Sequence, residues 1–267
     1  MKLRALILDV DGTLADTEET HRCAFNEAFR LHGLDWNWSI PAYAQLLSVA
    51  GGKQRLQTYI DSLPLPETER ALLSKKIPTL HSSKTDIYTA ALATGGVRLR
   101  DGVARLLEEC ARAGVRLAIA TTTTAANIES LLSSNLGADA TKKFSVIGAG
   151  DVVDRMKPAP DIYEWTLRRL EESAANCVAI EDSVNGLKAA KGAGLFTVVT
   201  PTHWTMGEDF SAADLVLPSL GSADHPLTGT AAAQIGGTML GVQELERQLL
   251  AQPAGPRLKE GSSVSQD

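Results

Sequence analysis

"LRALILDVDGTLADTEETH", residues 3–21, carries an apolar run straight into the aspartates Asp9, Asp11 and Asp16. Leu6, Ile7 and Leu8 follow one another with no polar alternation, which is the pattern of a strand buried on both faces, as in a parallel sheet covered by helices. Ligand sites on such sheets lie just beyond the carboxyl ends of the strands. The chain therefore spends a buried strand on holding two carboxylates two positions apart at the place where a ligand is expected.

Working outward, the part of the chain after residue 95 repeats this arrangement. Strand-like runs at 115–120, 146–147, 177–180 and 195–199 follow segments of helical periodicity, and each ends in a polar cluster: "TTTT", "GAGD", "EDSVNG" and "TPTHW". This predicts an α/β fold, a Rossmann-like parallel sheet with helices on both faces. Residues 16–95 hold no strand-like run. Amphipathic patterns at 21–31, 43–47, 54–60 and 67–93 predict an inserted all-helical domain, and "ATGGVRLRDG", residues 93–102, reads as the returning hinge. The expected organisation is a core of residues 1–15 and 96–250, a helical insert of residues 16–95, and a disordered tail of residues 251–267, which lacks apolar periodicity.

Charge and composition exclude whole classes of function. With 26 basic against 32 acidic residues, the net charge of −6 provides no positive field for nucleic acid or an anionic membrane. No apolar run approaches the ~20 residues of a membrane span, and the first run breaks at Asp9, too early for a signal peptide. A soluble, cytoplasmic monomer acting on a small molecule is expected. The three cysteines, Cys23, Cys110 and Cys177, sit in apolar patterns and are expected to be reduced core thiols.

The groups at the strand ends are Asp9, Asp11, Thr121, Lys157, Glu181 and Asp182. Carboxylates crowded at one end of a sheet repel unless a cation sits among them, and an all-oxygen set without His or Cys favours Mg²⁺. A dication, a lysine and a hydroxyl together are what a phosphoryl group needs. Asp9 is then placed to attack phosphorus, and Asp11 to protonate the leaving oxygen and later activate water. Each piece alone has a commonplace reading: an Asp-Gly turn, a threonine N-cap, a lysine ahead of a proline-initiated helix, acidic capping with Ser183. Capping alone does not explain their co-occurrence at successive strand ends.

In that order the motifs resemble those of the haloacid dehalogenase-like phosphohydrolases: "DVDGT" at 9–13, Thr121, Lys157 and "EDS" at 181–183. The resemblance implies Asp9 as nucleophile, Asp11 as general acid/base, and Thr121 and Lys157 as phosphate-holding groups. It also implies Mg²⁺ on Asp9, the Asp11 carbonyl and Asp182, with Glu181 in or near its shell. An insert directly after "DGT" matches the C1-cap subgroup. Within it, "TEETH" (17–21), "AGGKQRL" (50–56), "LHSSKTDIY" (80–88), "LAIATTTT" (117–124) and "FSAADLVLPSLG" (210–221) resemble the CbbY-like phosphatases of xylulose-1,5-bisphosphate, which act in support of Rubisco. That family implies a substrate with two phosphates.

Glu18, Glu19 and His21 are expected to face the cleft from the first helix of the insert, with Thr122 and Thr123 beside Thr121. Gly52, Lys53 and Arg55 form a candidate second anion site at a helix start, although solvated basic residues opening a surface helix explain them equally. Lys84 and Arg98 are the next candidates. Arg100 reaches substrate only if the insert closes, and Trp36 and Trp38 are expected to pack. A β-phosphoglucomutase-like phosphomutase shares these motifs. So, in part, does a receiver-like phospho-aspartate module, although in such a module the phosphoacceptor does not follow the first strand.

Overall fold

The computed structural model describes residues 2–150 and 152–251. A six-stranded parallel sheet has the order β3-β2-β1-β4-β5-β6. Its strands are β1 (Ala5–Leu8), β2 (Arg116–Ala120), β3 (Phe144–Gly148), β4 (Cys177–Glu181), β5 (Phe196–Val199) and β6 (Leu215–Val216). β1 is central: Ile7 pairs with Ala118 of β2 on one side and Ala179 of β4 on the other. The chain crosses from one side of β1 to the other between β3 and β4, so the crevice of this doubly wound sheet opens at the carboxyl ends of β1 and β4.

Alternate residues of the strands supply two apolar layers. Leu6 and Leu8 join Leu117, Ile119, Val178 and Ile180 in the larger layer, covered by α6 (Val103–Ala113), α7 (Ala125–Leu136), α10 (Gly229–Ile235) and α11 (Val242–Ala251). Ala5 and Ile7 join Ala118, Ala120 and Ala179 in the other, where small strand residues admit the bulkier Ile162, Tyr163 and Leu167 of α8 (Asp161–Leu170). Each fully buried Leu or Ile contributes about 1.5–3 kcal/mol. On this face α9 (Val184–Gly192) packs beside α8 through Ala189 and Ala190. The short β6 at the sheet edge was not expected from periodicity, since two residues carry none.

The insert is five helices, α1 (Glu18–Leu31), α2 (Ile40–Leu46), α3 (Gly52–Ser62), α4 (Glu67–Ser74) and α5 (Ile77–Ala93), around Phe25, Phe29, Trp38, Tyr43, Leu56, Ile60 and Leu80. The single helical pattern expected over 67–93 is two helices, because Pro78 lacks the N–H that a continuing helix requires and instead sits in the first turn of α5. Trp38 packs as expected, 1% exposed, with its ring 4.7 Å from that of Phe25. The two connections to the sheet lie side by side: Ala15 bridges Leu99, and the Arg100 amide donates to the Leu14 carbonyl at 2.8 Å.

Cys110 and Cys177 are buried, but Cys23 is exposed, which corrects its placement in the core. On α1 the buried stripe is 18, 21, 24, 25, 28 and 29, and position 23 falls outside it. The expected tail lies outside the described residues apart from Ala251, which ends α11. No helix among the described residues is long and apolar enough to cross a membrane.

Candidate active site

After β1 the chain makes a tight turn in which the amides of Thr13, Leu14 and Ala15 all point to the Val10 carbonyl. Gly12 sits at φ +83°, and a Cβ there would lie 2.0 Å from the Asp182 carboxylate, so only glycine lets the loops after β1 and β4 meet this closely. The turn sends the two aspartates to different halves of the molecule. Asp9 faces the sheet side, where Lys157 Nζ donates to its Oδ1 at 2.6 Å. Asp11 faces the insert, where Thr17 Oγ1 donates to its Oδ1 at 2.6 Å and His21 Nε2 lies 2.9 Å away. The two-residue spacing thus gives one loop a carboxylate for each domain.

Around Asp9 the charges do not balance. Carboxylate oxygens of Asp9, Glu181 and Asp182 lie within 4.8 Å of one another, all buried. The same Lys157 ammonium serves Glu181 Oε1 at 2.6 Å, and the Tyr163 hydroxyl donates to that oxygen as well. Burial pushes the Asp9 carboxyl up to about 7, against the pull of Lys157, with Glu181 adding to the rise. Burial also pushes Asp182 well above the usual carboxylate range, with Asp9 next in importance. An all-oxygen donor set with surplus buried negative charge fits a hard divalent cation. The Asp11 carboxylate lies outside this cluster.

On the insert side a relay runs from Lys84 through His21 to Asp11. Lys84 Nζ is 2.5 Å from His21 Nδ1. A charged Lys84 donates there, which places the imidazole proton on Nε2, donating to Asp11. The ring of His21 is stacked 3.9 Å from that of Tyr88. Burial works to raise the Asp11 carboxyl, but His21 and Thr17 hold it well below its ordinary value. Burial lowers Lys84 to about 8 and, with Lys84 beside it, lowers His21 too.

Thr121, Thr122 and Thr123 line the same cleft, and the N-cap of α7 falls to Thr124, whose Oγ1 accepts from the Asn127 amide at 3.3 Å. The capping reading thus applies to the last threonine; Thr121 Oγ1 accepts from the Thr123 amide at 3.3 Å and Thr123 Oγ1 from Asn127 Nδ2 at 2.8 Å, so these two hydroxyls act as acceptors within the turn and have their own protons to offer a ligand. Ser183 likewise caps α9 through the Gly186 amide. Glu18, Gly52 and Arg55 line the insert wall. Arg55 is 3.6 Å from Glu18 Oε2 and donates to the Tyr43 hydroxyl at 3.1 Å, and that hydroxyl donates to Glu18 at 2.7 Å.

Other expected residues stand apart. Glu19, Lys53 and Arg98 are exposed and outside the cleft lining, Glu19 being paired with Arg22 on the outer side of α1. Successive helix residues are rotated by about 100°, so Lys53 and Arg55 point to nearly opposite sides of α3. Arg100 is not placed to reach substrate: its guanidinium donates to the carbonyls of Gly12, Thr200 and Pro201, clamping three loops together. Sequence reasoning missed Tyr43, Asn127 and Tyr163, whose partners come from other elements and leave no local signal.

A family model of haloacid dehalogenase-like hydrolases matches residues 3–194. The plasmid-encoded protein CbbY of Cupriavidus necator is 48% identical over 225 residues, covering 84% of this chain and 89% of that protein. CbbY of Rhodobacter capsulatus is 48% identical over 223 residues, covering 84% and 96%. Among solved structures, an Asp-to-Asn mutant of CbbY from Rhodobacter sphaeroides in complex with xylulose-1,5-bisphosphate superposes with a TM-score of 0.76 at 44% identity, covering 83% of this chain and 98% of that one.

Proposed function

We propose, from the premise that the chain belongs to the haloacid dehalogenase-like hydrolases, that it is a Mg²⁺-dependent phosphatase that converts xylulose-1,5-bisphosphate to xylulose 5-phosphate. The observation that carries this reading is the two-sided cleft: Asp9, Lys157 and Thr121 on the sheet face Arg55 and Lys84 on the insert. The insert acts as a cap, and its wall offers cationic groups to a second phosphate. The complex of the Rhodobacter sphaeroides relative with that sugar supports the choice of substrate. Every group needed comes from one copy of the chain.

In this mechanism Lys157 and Thr121 hold the transferring phosphoryl group, and Lys157 also fixes the Asp9 carboxylate through Oδ1. Asp9 attacks phosphorus, the bond from phosphorus to the sugar oxygen breaks, and that oxygen takes a proton from Asp11, which rests as a carboxylate held by His21 and Thr17 and receives the proton along the relay from the Lys84 ammonium through His21. Asp11, now a carboxylate, takes a proton from water as the water oxygen attacks the aspartyl phosphate, freeing inorganic phosphate and Asp9. Asp9, Asp182 and the Asp11 carbonyl, with Glu181 beside them, would hold Mg²⁺, which would supply charge neutralisation to the phosphoryl oxygens. Asp11 meets its partners Thr17 and His21 on the cap, so cap position sets the hydrogen bonds that govern its protonation.

Asp11→Asn is expected to slow both half-reactions by ~10²-fold or more while leaving substrate affinity nearly intact, as rapid-quench kinetics would read. Unchanged rates remove Asp11 from the chemistry. Arg55→Ala is expected to lower kcat/KM for the bisphosphate by about 10²-fold, equivalent to about 3 kcal/mol, and Lys53→Ala by less than about threefold, with p-nitrophenyl phosphate barely affected by either. Equal losses on both substrates mean that Arg55 merely supports the cap. The substrate itself is tested by a panel of phosphate esters with Mg²⁺, including ribulose-1,5-bisphosphate and glucose phosphates. Xylulose-1,5-bisphosphate should give the highest kcat/KM, and a higher value for any other ester contradicts the assignment.

A further inference from the structure

The loop that follows β5 belongs to the sheet domain yet packs into the cap. Trp204 sets its ring edge-on against Tyr43, with centroids 5.7 Å apart and planes at 86°, and it joins the apolar cluster of the cap. Tyr43 is the residue whose hydroxyl holds Glu18 and receives Arg55. A residue carried by the sheet therefore touches the side chain that orients the cap wall.

The loop is built to hold this position. At its root Arg100 binds the carbonyls of Thr200 and Pro201. Within it, Thr205 Oγ1 accepts from the Thr202 amide at 3.0 Å and Thr202 Oγ1 accepts from the Trp204 amide at 3.2 Å. At its far end, Glu208 accepts from the Val184 amide at 2.6 Å, two residues from Asp182. A second tie between the halves lies nearby, where Asn185 Nδ2 donates to the Ser48 carbonyl at 2.9 Å. The indole N–H of Trp204 is shielded from solvent with no hydrogen-bond partner. Packing, not hydrogen bonding, is what this side chain supplies.

We infer that Trp204 is a positioning residue for the sugar end of the substrate: from the sheet domain it fixes Tyr43, and through Tyr43 it sets Glu18 and Arg55 when the cap is down. Small phosphate esters that do not reach the cap wall gain nothing from it. The inference rests on the proposed sugar-phosphate phosphatase activity and adds a residue to its specificity.

The test compares kcat/KM for xylulose-1,5-bisphosphate and for p-nitrophenyl phosphate in the full-length chain and its variants. Trp204→Ala should lower the first ~10-fold or more and the second less than about twofold, because a misplaced cap wall penalises only the substrate that binds it. Trp204→Phe, which keeps an aromatic edge and removes the orphaned N–H, should restore the bisphosphate value to within about threefold. Equal losses on both substrates, or no loss on either, overturn the inference. If Trp204→Ala does not fold, Trp204→Leu carries the same comparison. If the unmodified chain rejects the bisphosphate, that result defeats the substrate assignment alone, and Trp204 is decided by the same ratio with the sugar phosphate that the chain does hydrolyse.

Discussion

Asp9→Asn is expected to abolish turnover, with kcat falling on the order of 10⁴-fold or more, because the carboxylate is the proposed nucleophile toward phosphorus and an amide oxygen is a poor one. The substitution is nearly isosteric, so the loss is chemical. Lys157 retains Glu181 as a partner at 2.6 Å, and the buried strain that pushes the Asp9 carboxyl up to about 7 is removed. The melting temperature of the metal-free variant should match or exceed that of the unmodified chain. A variant that retained a tenth of the activity would show that Asp9 does not accept the phosphoryl group.

Removing divalent cations is expected to have a comparable effect on rate and a separate one on stability. Exhaustive chelation should bring phosphate release to background, and Mg²⁺ should restore it. Activity that survived chelation, or that required Zn²⁺, would contradict an all-oxygen Mg²⁺ site built on Asp9, Asp182 and Glu181. The stability effect follows from Asp9, whose carboxyl is raised from 3.8 to about 7 in the folded chain, first by burial. Between those values the folded chain without metal binds more protons than the unfolded chain. The stability Asp9 contributes is therefore complete below about 3.8 and lost as the pH rises through about 7. The Asp9 share of the metal-free melting temperature, read as the difference between the unmodified chain and Asp9→Asn, should decline from pH 5 to pH 8, and the stabilisation by added Mg²⁺ should grow over the same interval; His21 and His81, which burial lowers, pull the total melting temperature the other way on the acid side. A difference from Asp9→Asn that rose across it would show that Asp9 is not held in its protonated form by its surroundings.

What the sequence discloses is what is local. An unbroken apolar run such as 5–8 is a buried strand whatever surrounds it, and the polar clusters that end β1, β2 and β4 fall at one edge of the sheet because parallel strands align their carboxyl ends. Asp9, Thr121 and Asp182 were therefore placed by pattern. Lys157 sits in the loop ahead of α8, and only the fold shows that its ammonium bridges Asp9 and Glu181. The break ahead of α5 was available in Pro78 but was masked by apolar periodicity continuing on either side. The separation of Lys53 from Arg55 needed the start of α3 at Gly52, since a pattern beginning at 54 leaves Lys53 outside the helix and its direction unset. Arg100, Tyr43 and Trp204 have partners from distant segments, and no spacing along the chain encodes them.

The central claim is that phosphate passes from the sugar to Asp9 and then to water, and following labelled phosphate through a single turnover tests it most directly. Xylulose-1,5-bisphosphate labelled in its C1 phosphate, mixed with excess enzyme and Mg²⁺ and quenched at successive times, should show label appearing on the protein and then leaving as one inorganic phosphate per substrate, with xylulose 5-phosphate as the sugar product. Label that never rests on the protein, or that passes to a sugar hydroxyl instead of to water, would contradict the account.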